Sequence, residues 1–166
     1  MNKSIRGLAT TAAALLIGWA SAAQAQTGGF ELITAAEAQQ TAKAERDAPP
    51  EIRPRQVPGP KGNVPGIKVL APTTTTAAVA APLRIEVAFT PTPGTRIVPS
   101  TFRVLYGLLK IDLTDRLRRH ATVTESGVVI DRALVPEGQH RLILQVADDQ
   151  GNTAEQELRI RVGAAS

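Results

Sequence analysis

From residue 83 onward, apolar and polar side chains alternate with a period of two. Leu83, Ile85, Val87 and Phe89 are interleaved with Arg84, Glu86, Ala88 and Thr90, the pattern of a strand with one face in a core and the other in water. The same period runs through Phe102, Val104 and Tyr106, then Leu142, Leu144 and Val146, then Leu158, Ile160 and Val162, with shorter candidates at 67–70 and 128–130. Six or more short strands separated by turn residues predict an all-β fold over residues 67–163, an antiparallel β-sandwich of about seven strands. The sequence DDQGN at 148–152 joins the last two long strands and reads as a hairpin loop with Gly151 in a left-handed position. A single helical turn fits TDRLRR at 114–119, with Thr114 as its cap. TTTTAAVAA within 73–81 reads as a loose connection between the first two strands.

Upstream of the strands the period disappears. Thr34 and Glu37 have capping-box spacing, with Ile33 placed to staple the first turn, and AAEAQQTAKAERD follows up to Pro49 and Pro50. This predicts a short helix in an arm at 26–48. Its apolar positions are nearly all alanine, so it is expected to fray in isolation or to form on a partner. Six prolines between residues 49 and 65, together with Arg53, Arg55 and Lys61, predict an extended Pro-rich linker over 49–66.

The first 25 residues follow a third pattern. Lys3 and Arg6 precede an uncharged run, LATTAAALLIGWA at 8–20, and then SAAQA. The run is too short to span a bilayer, which needs about 20 residues, and small residues at 23 and 25 suit a signal peptidase. Residues 1–25 are therefore read as a signal peptide cleaved between Ala25 and Gln26. Losing Lys3 and Arg6 lowers the formal net charge from +4 to +2. With acids and bases interspersed, that balance gives no reason to expect nucleic acid. No cysteine is present, so neither a disulfide framework nor a lipid anchor at the cleavage site is expected, and the mature chain is expected to carry no membrane anchor.

Residues 97–162 resemble the bacterial immunoglobulin-like repeats of exported cell-envelope proteins. The resemblance rests on Val98-Pro99-Ser100 before a strand and on a hydrophobic strand ending in Gly107. It continues through Ile111-Asp112-Leu113-Thr114, Ala121-Thr122-Val123-Thr124 and Glu137-Gly138-Gln139-His140-Arg141-Leu142. The last stretches are Val146-Ala147-Asp148 and Gly151-Asn152-Thr153-Ala154. It implies an immunoglobulin-like sandwich and is silent on activity. The cysteine pair and core tryptophan of antibody-type domains are missing from it.

Candidate chemistry is sparse. His120 and His140 stand apart in a chain without cysteine, a poor basis for a zinc site. Outside the leader, serine occurs only as Ser100, Ser126 and Ser166, none in a nucleophile elbow; no enzyme and no cofactor are expected. Asp148, Asp149 and Asn152 are weak calcium candidates that would need help from another loop, such as Asp112 or Asp115; the simpler expectation is a hairpin capping its own backbone. Arg116, Arg118 and Arg119 form the densest basic group, with Arg132 and Arg141 as possible neighbours. They could bind an anionic partner, although a solvated face paired with Asp112 and Asp115 is the plainer reading. Phe89, Phe102 and Tyr106 fall on apolar faces, which leaves few rings for a sugar platform.

These features together suggest an exported, non-catalytic interaction or structural module of the cell envelope, periplasmic or secreted. It would act by protein–protein contact, with an envelope protein or by self-association, through residues 26–48 and the sandwich. The alternative is a small ligand-binding module, taking calcium at 148–152 or an anion at 116–119.

Overall fold

The alternating segments become strands whose apolar faces meet. In the computed structural model, which describes residues 28–49, 63–73 and 78–163, the long strands are β2 (Gly66–Ala71), β3 (Leu83–Thr90), β4 (Ile97–Tyr106), β6 (Gly127–Leu134), β7 (Gly138–Asp148) and β8 (Thr153–Val162). Two strands of two residues each, β1 (Phe30–Glu31) and β5 (Ile111–Asp112), complete the set, together with helices α1 (Ala35–Asp47) and α2 (Thr114–Arg118). Four strands form each sheet, in the orders β1-β6-β3-β2 and β5-β4-β7-β8. The signal-peptide cleavage site at Ala25 and Gln26 and most of the Pro-rich linker lie outside the described residues.

Between the sheets, Ile85, Val87, Phe89, Val128 and Ile130 face Phe102, Val104, Tyr106, Leu142, Leu144, Leu158 and Ile160, all buried. Phe89 and Phe102 pack as a tilted pair with centroids 5.4 Å apart. The strand pairs are antiparallel except at one edge, where β1 runs parallel to β6, Phe30 opposite Ala133, and a single parallel bridge joins Val79 to Val162 of β8. The period-two reading missed this edge because two residues show no period.

β4 begins five residues before the alternation made it visible. Pro99 brings no N–H to the ladder, and the β4–β7 register shifts between Val98 and Arg103. Thr101 fills the gap: its hydroxyl donates to the Val98 carbonyl at 2.6 Å and accepts from the Ala147 amide at 2.9 Å.

Two local expectations are revised. Thr114 is not the cap of α2; that place belongs to Leu113. The Thr114 hydroxyl accepts the Val104 amide at 3.0 Å, and Asp112 accepts the Thr114 amide at 2.8 Å, tying α2 to β4 instead. The arm also has a core. Leu32 and Ile33 are 0% and 1% exposed, and the Leu32 amide donates to the Leu134 carbonyl at 3.0 Å. Alanine made α1 look coreless, but the residues that anchor it precede the helix. The capping box forms as its spacing predicts, with Thr34 and Glu37 bonded reciprocally. One turn further on, Thr41 is buried above Gly107 (φ +64°), where an added Cβ would lie 2.0 Å from Thr41 Cγ2. Glycine there lets α1 close over the sandwich.

Candidate functional site

The three clustered arginines separate. Arg116 grips the arm: its guanidinium donates to both Glu37 carboxylate oxygens at 2.9 Å and to the Leu32 carbonyl at 2.7 Å. The Arg116 bond, aided by those from Thr34, holds the Glu37 carboxyl down at about 2. Arg118 reaches back over β4, donating to the Ser100 carbonyl at 2.7 Å and the Phe102 carbonyl at 3.1 Å. It walls a shallow hollow of about 300 Å³ with Pro99, Ser100, Ala121, Thr122 and Val123. Arg119 is exposed. The expected pairing with acids is met at Asp112 by Arg103 instead, at 3.6 Å. Arg116 and Arg118 are thus bonded within the protein, and bidentate geometry makes Arg116–Glu37 a strong fastening.

The 148–152 loop closes on itself in the same way. Asp148 is 3% exposed and accepts from the Gln150 and Asn152 amides at 3.1 and 2.8 Å and from the Asn152 side chain at 2.9 Å. The Asn152 side chain is the foremost of the bonds that hold the Asp148 carboxyl below the usual range. Asp149 accepts the Arg96 amide at 3.1 Å. Gly151 is left-handed, φ +83°, as the loop requires. Asp112 is not placed to complete a calcium shell. It stands opposite Leu105 of β4 while Asp148 stands opposite Ile97, and that separation along the strand is about 26 Å at roughly 3.3 Å per residue. Among the described residues, no three His, Cys, Asp or Glu side chains are gathered where they could hold a metal ion.

Both histidines have roles that their spacing could not reveal. His120 stacks on Phe30 with centroids 4.1 Å apart and planes 8° from parallel, fastening β1 to the residues after α2. His140, 5% exposed, lies with Nε2 at 2.8 Å from the Pro136 carbonyl and Nδ1 at 2.9 Å from the Tyr106 hydroxyl. A carbonyl only accepts, so Nε2 carries the proton and Nδ1 accepts from Tyr106. Burial lowers the His140 pKa, partly opposed by the Pro136 bond. Burial, and then the charge of Glu45, push the Tyr106 phenol up to about 12. The pair is therefore neutral and structural at ordinary pH.

β8, like β2 in the other sheet, is the outer strand of its sheet. Its even residues Ala154, Leu158, Ile160 and Val162 face the core, while Glu155, Glu157, Arg159 and Arg161 line the outer face. Glu157 is held by Arg141, whose Nε donates at 2.7 Å, and by Arg159 on the other side. Burial works to raise the Glu157 carboxyl, but these bonds outweigh it and hold it below the usual range. Ile143 is 1% exposed beneath this polar layer, although it points away from the core.

The backbone of β8 can be traced residue by residue. The Arg161 carbonyl accepts the Val79 amide at 2.9 Å and the Gly163 amide donates to the Val79 carbonyl at 3.1 Å. Odd residues at this end thus turn their polar groups away from β7. Bonding direction alternates along a strand, so Thr153, Glu155, Glu157 and Arg159 face outward too. Among the described residues, no strand pairs with them. The Glu157 carbonyl is met only by the side-chain amide of Gln156, at 2.9 Å.

The chain matches no model of a known protein family, and no curated protein matches it.

Proposed function

We propose that this chain is an exported, non-catalytic interaction or structural module of the cell envelope: an immunoglobulin-like sandwich acting by protein–protein contact, in the periplasm or outside the cell. Export is supported by the charged head, short apolar run and Ala-x-Ala ending of residues 1–25. The immunoglobulin-like assignment is supported by the pattern over 97–162 and by the two facing four-stranded sheets. The observation that carries the functional reading is the free edge of β8, whose outward backbone groups among the described residues lack a strand partner. Such an edge accepts an added strand, with main-chain bonds for affinity and side chains for specificity.

In this reading residues 30–47 are a clasp across the domain. Leu32 and Ile33, buried in the core of the sandwich, supply the anchor that the alanine-rich helix lacks.

The test is photo-cross-linking in intact cells. A photoreactive phenylalanine replaces Gln156, whose side chain lies along the edge, or Arg84, which is exposed on the outer face of the other sheet. Protein adducts from position 156 and none from position 84 are expected. Absence of any adduct from position 156 overturns the reading.

A further inference from the structure

We propose that the outer face of the β7–β8 ladder carries a binding site for a phosphate group, formed by Arg141, Arg159 and Arg161. The site goes beyond the contact-module reading, because its ligand meets side chains on the face of the sheet, whereas an added strand meets backbone at the edge. In the register of these strands Arg141 stands directly opposite Arg159, and Gln139 opposite Arg161. Like charges facing across a strand pair destabilise it, so a pair of facing arginines is a poor choice for stability alone. Two rows away the same ladder shows the ordinary solution: Gln145 stands opposite Glu155 and bonds its carboxylate at 2.8 Å.

Glu157 holds the two arginines side by side. Its Oε2 accepts from Arg141 Nε at 2.7 Å, and its Oε1 accepts from Arg159 Nε. Each guanidinium is thus fastened through Nε alone. The terminal nitrogens of both have no hydrogen-bond partner among the described residues. They reach solvent, since the Thr41 hydroxyl is the one buried polar side-chain atom left without a partner there. The clamp itself is well covered, with the Glu157 and Arg141 side chains 12% and 14% exposed, while Arg159 and Arg161 stand in solvent. A fixed inner arginine and two outer ones therefore present unused donors on one side of the sheet.

Charge and shape select the ligand. Three arginines against one glutamate leave a local net charge of +2, three minus one. Along β8 the next acid, Glu155, lies beyond Glu157 from Arg161 and is engaged by Gln145. A phosphate monoester brings about −1.5 to −2 charges at neutral pH and three strong acceptor oxygens, which two planar guanidinium forks can share. A carboxylate, with one charge and two oxygens, answers only half of that excess. The basic group at 116–119 offers no comparable forks: Arg116 commits its terminal nitrogens to Glu37 and the Leu32 carbonyl, and Arg118 donates to carbonyls of β4.

Titration of the full mature chain with inorganic phosphate at constant ionic strength, read through the arginine Nε–H resonances, tests the site. Exposed arginines hold a phosphate weakly, so a Kd of about 1 mM is expected. The signals of Arg141 and Arg159 should shift and saturate, while that of Arg84, on the outer face of the other sheet, stays still. Arg159→Gln and Arg161→Gln, both at exposed positions that the core does not need, should each weaken binding at least about fivefold. Arg159→Lys keeps the charge and removes the fork, and should also bind more weakly. Arg84→Gln should bind as the wild type does. Glycerol phosphate and phosphatidylcholine vesicles containing phosphatidic acid then distinguish the sources of the phosphate. Either result supports the site: much tighter binding to the vesicles assigns it to a lipid headgroup, and binding no tighter than to glycerol phosphate assigns it to a soluble or glycan-borne phosphate. No saturation by about 10 mM phosphate, equal shifts at Arg84, or Arg159 and Arg161 variants that bind as tightly as the wild type would each overturn the proposal. None of these outcomes touches the cross-links expected from position 156, so the phosphate site and the strand-accepting edge fail separately.

Discussion

On the arm side of the sandwich, charged side chains turn inward to satisfy the protein's own backbone; along β8, the backbone turns outward and charged side chains line it. Arg116 binds the Leu32 carbonyl and Glu37, and Arg118 binds carbonyls of β4. On β8, Arg159 and Arg161 remain exposed beside an edge with no strand partner among the described residues. Both regions are rich in arginine, so composition alone does not separate a fastening from a contact surface. The difference lies in where the backbone is short of partners. At the arm, irregular chain around Leu32 needs donors that no ladder supplies, and arginine supplies them. At β8 the ladder is regular and merely stops.

This comparison breaks most readily at the arm's anchor. Leu32→Ala should destabilise the whole domain by about 2–5 kcal/mol in chemical denaturation, because it opens a cavity in a close-packed core. A cost below about 1 kcal/mol would show the arm to be an appendage. Glu37→Gln should cost about 1–2 kcal/mol, since it leaves the partly covered Arg116 guanidinium without its carboxylate.

Acid sharpens the same contrast. His140 is held neutral, its pKa lowered in the folded state. The unfolded chain therefore takes up that proton first, and stability should decline as pH falls below about 6.5. Glu37, lowered from 4.5 to about 2, contributes stability that is complete above pH 4.5 and is lost between there and about 2. In denaturation curves recorded across pH, Glu37→Gln should reduce the second decline, to which Asp148 and Glu157 also contribute, and keep the first. The smallest effect is expected at the edge: Arg159→Glu should leave the stability of the domain within about 0.5 kcal/mol of wild type in chemical denaturation.

Much of this was legible in the sequence because the signals were local. Alternation located the long strands, Thr34 and Glu37 announced the start of α1, and Gly151 marked the last hairpin. What stayed hidden was long-range. Arg116 and Glu37 are 79 positions apart, and Tyr106 and His140 are 34 apart, so no window along the chain joins them. Leu32 and Ile33 form too short an apolar run to declare a core of their own, and Thr114 had the chemistry of a cap but found a better acceptor role at Val104. The order Glu155, Glu157, Arg159, Arg161 was in plain view as polar alternation. Only the fold shows that it lies on the edge of a sheet.

Amide hydrogen exchange tests the central claim most directly, because it reads arm and edge in the same sample. Amides from Ala38 to Thr41 are expected to be strongly protected, while those of Glu157 and Arg159, on the outer side of β8, exchange rapidly. Edge amides as protected as those of the arm, or arm amides that exchange as fast as the edge, would contradict this contrast.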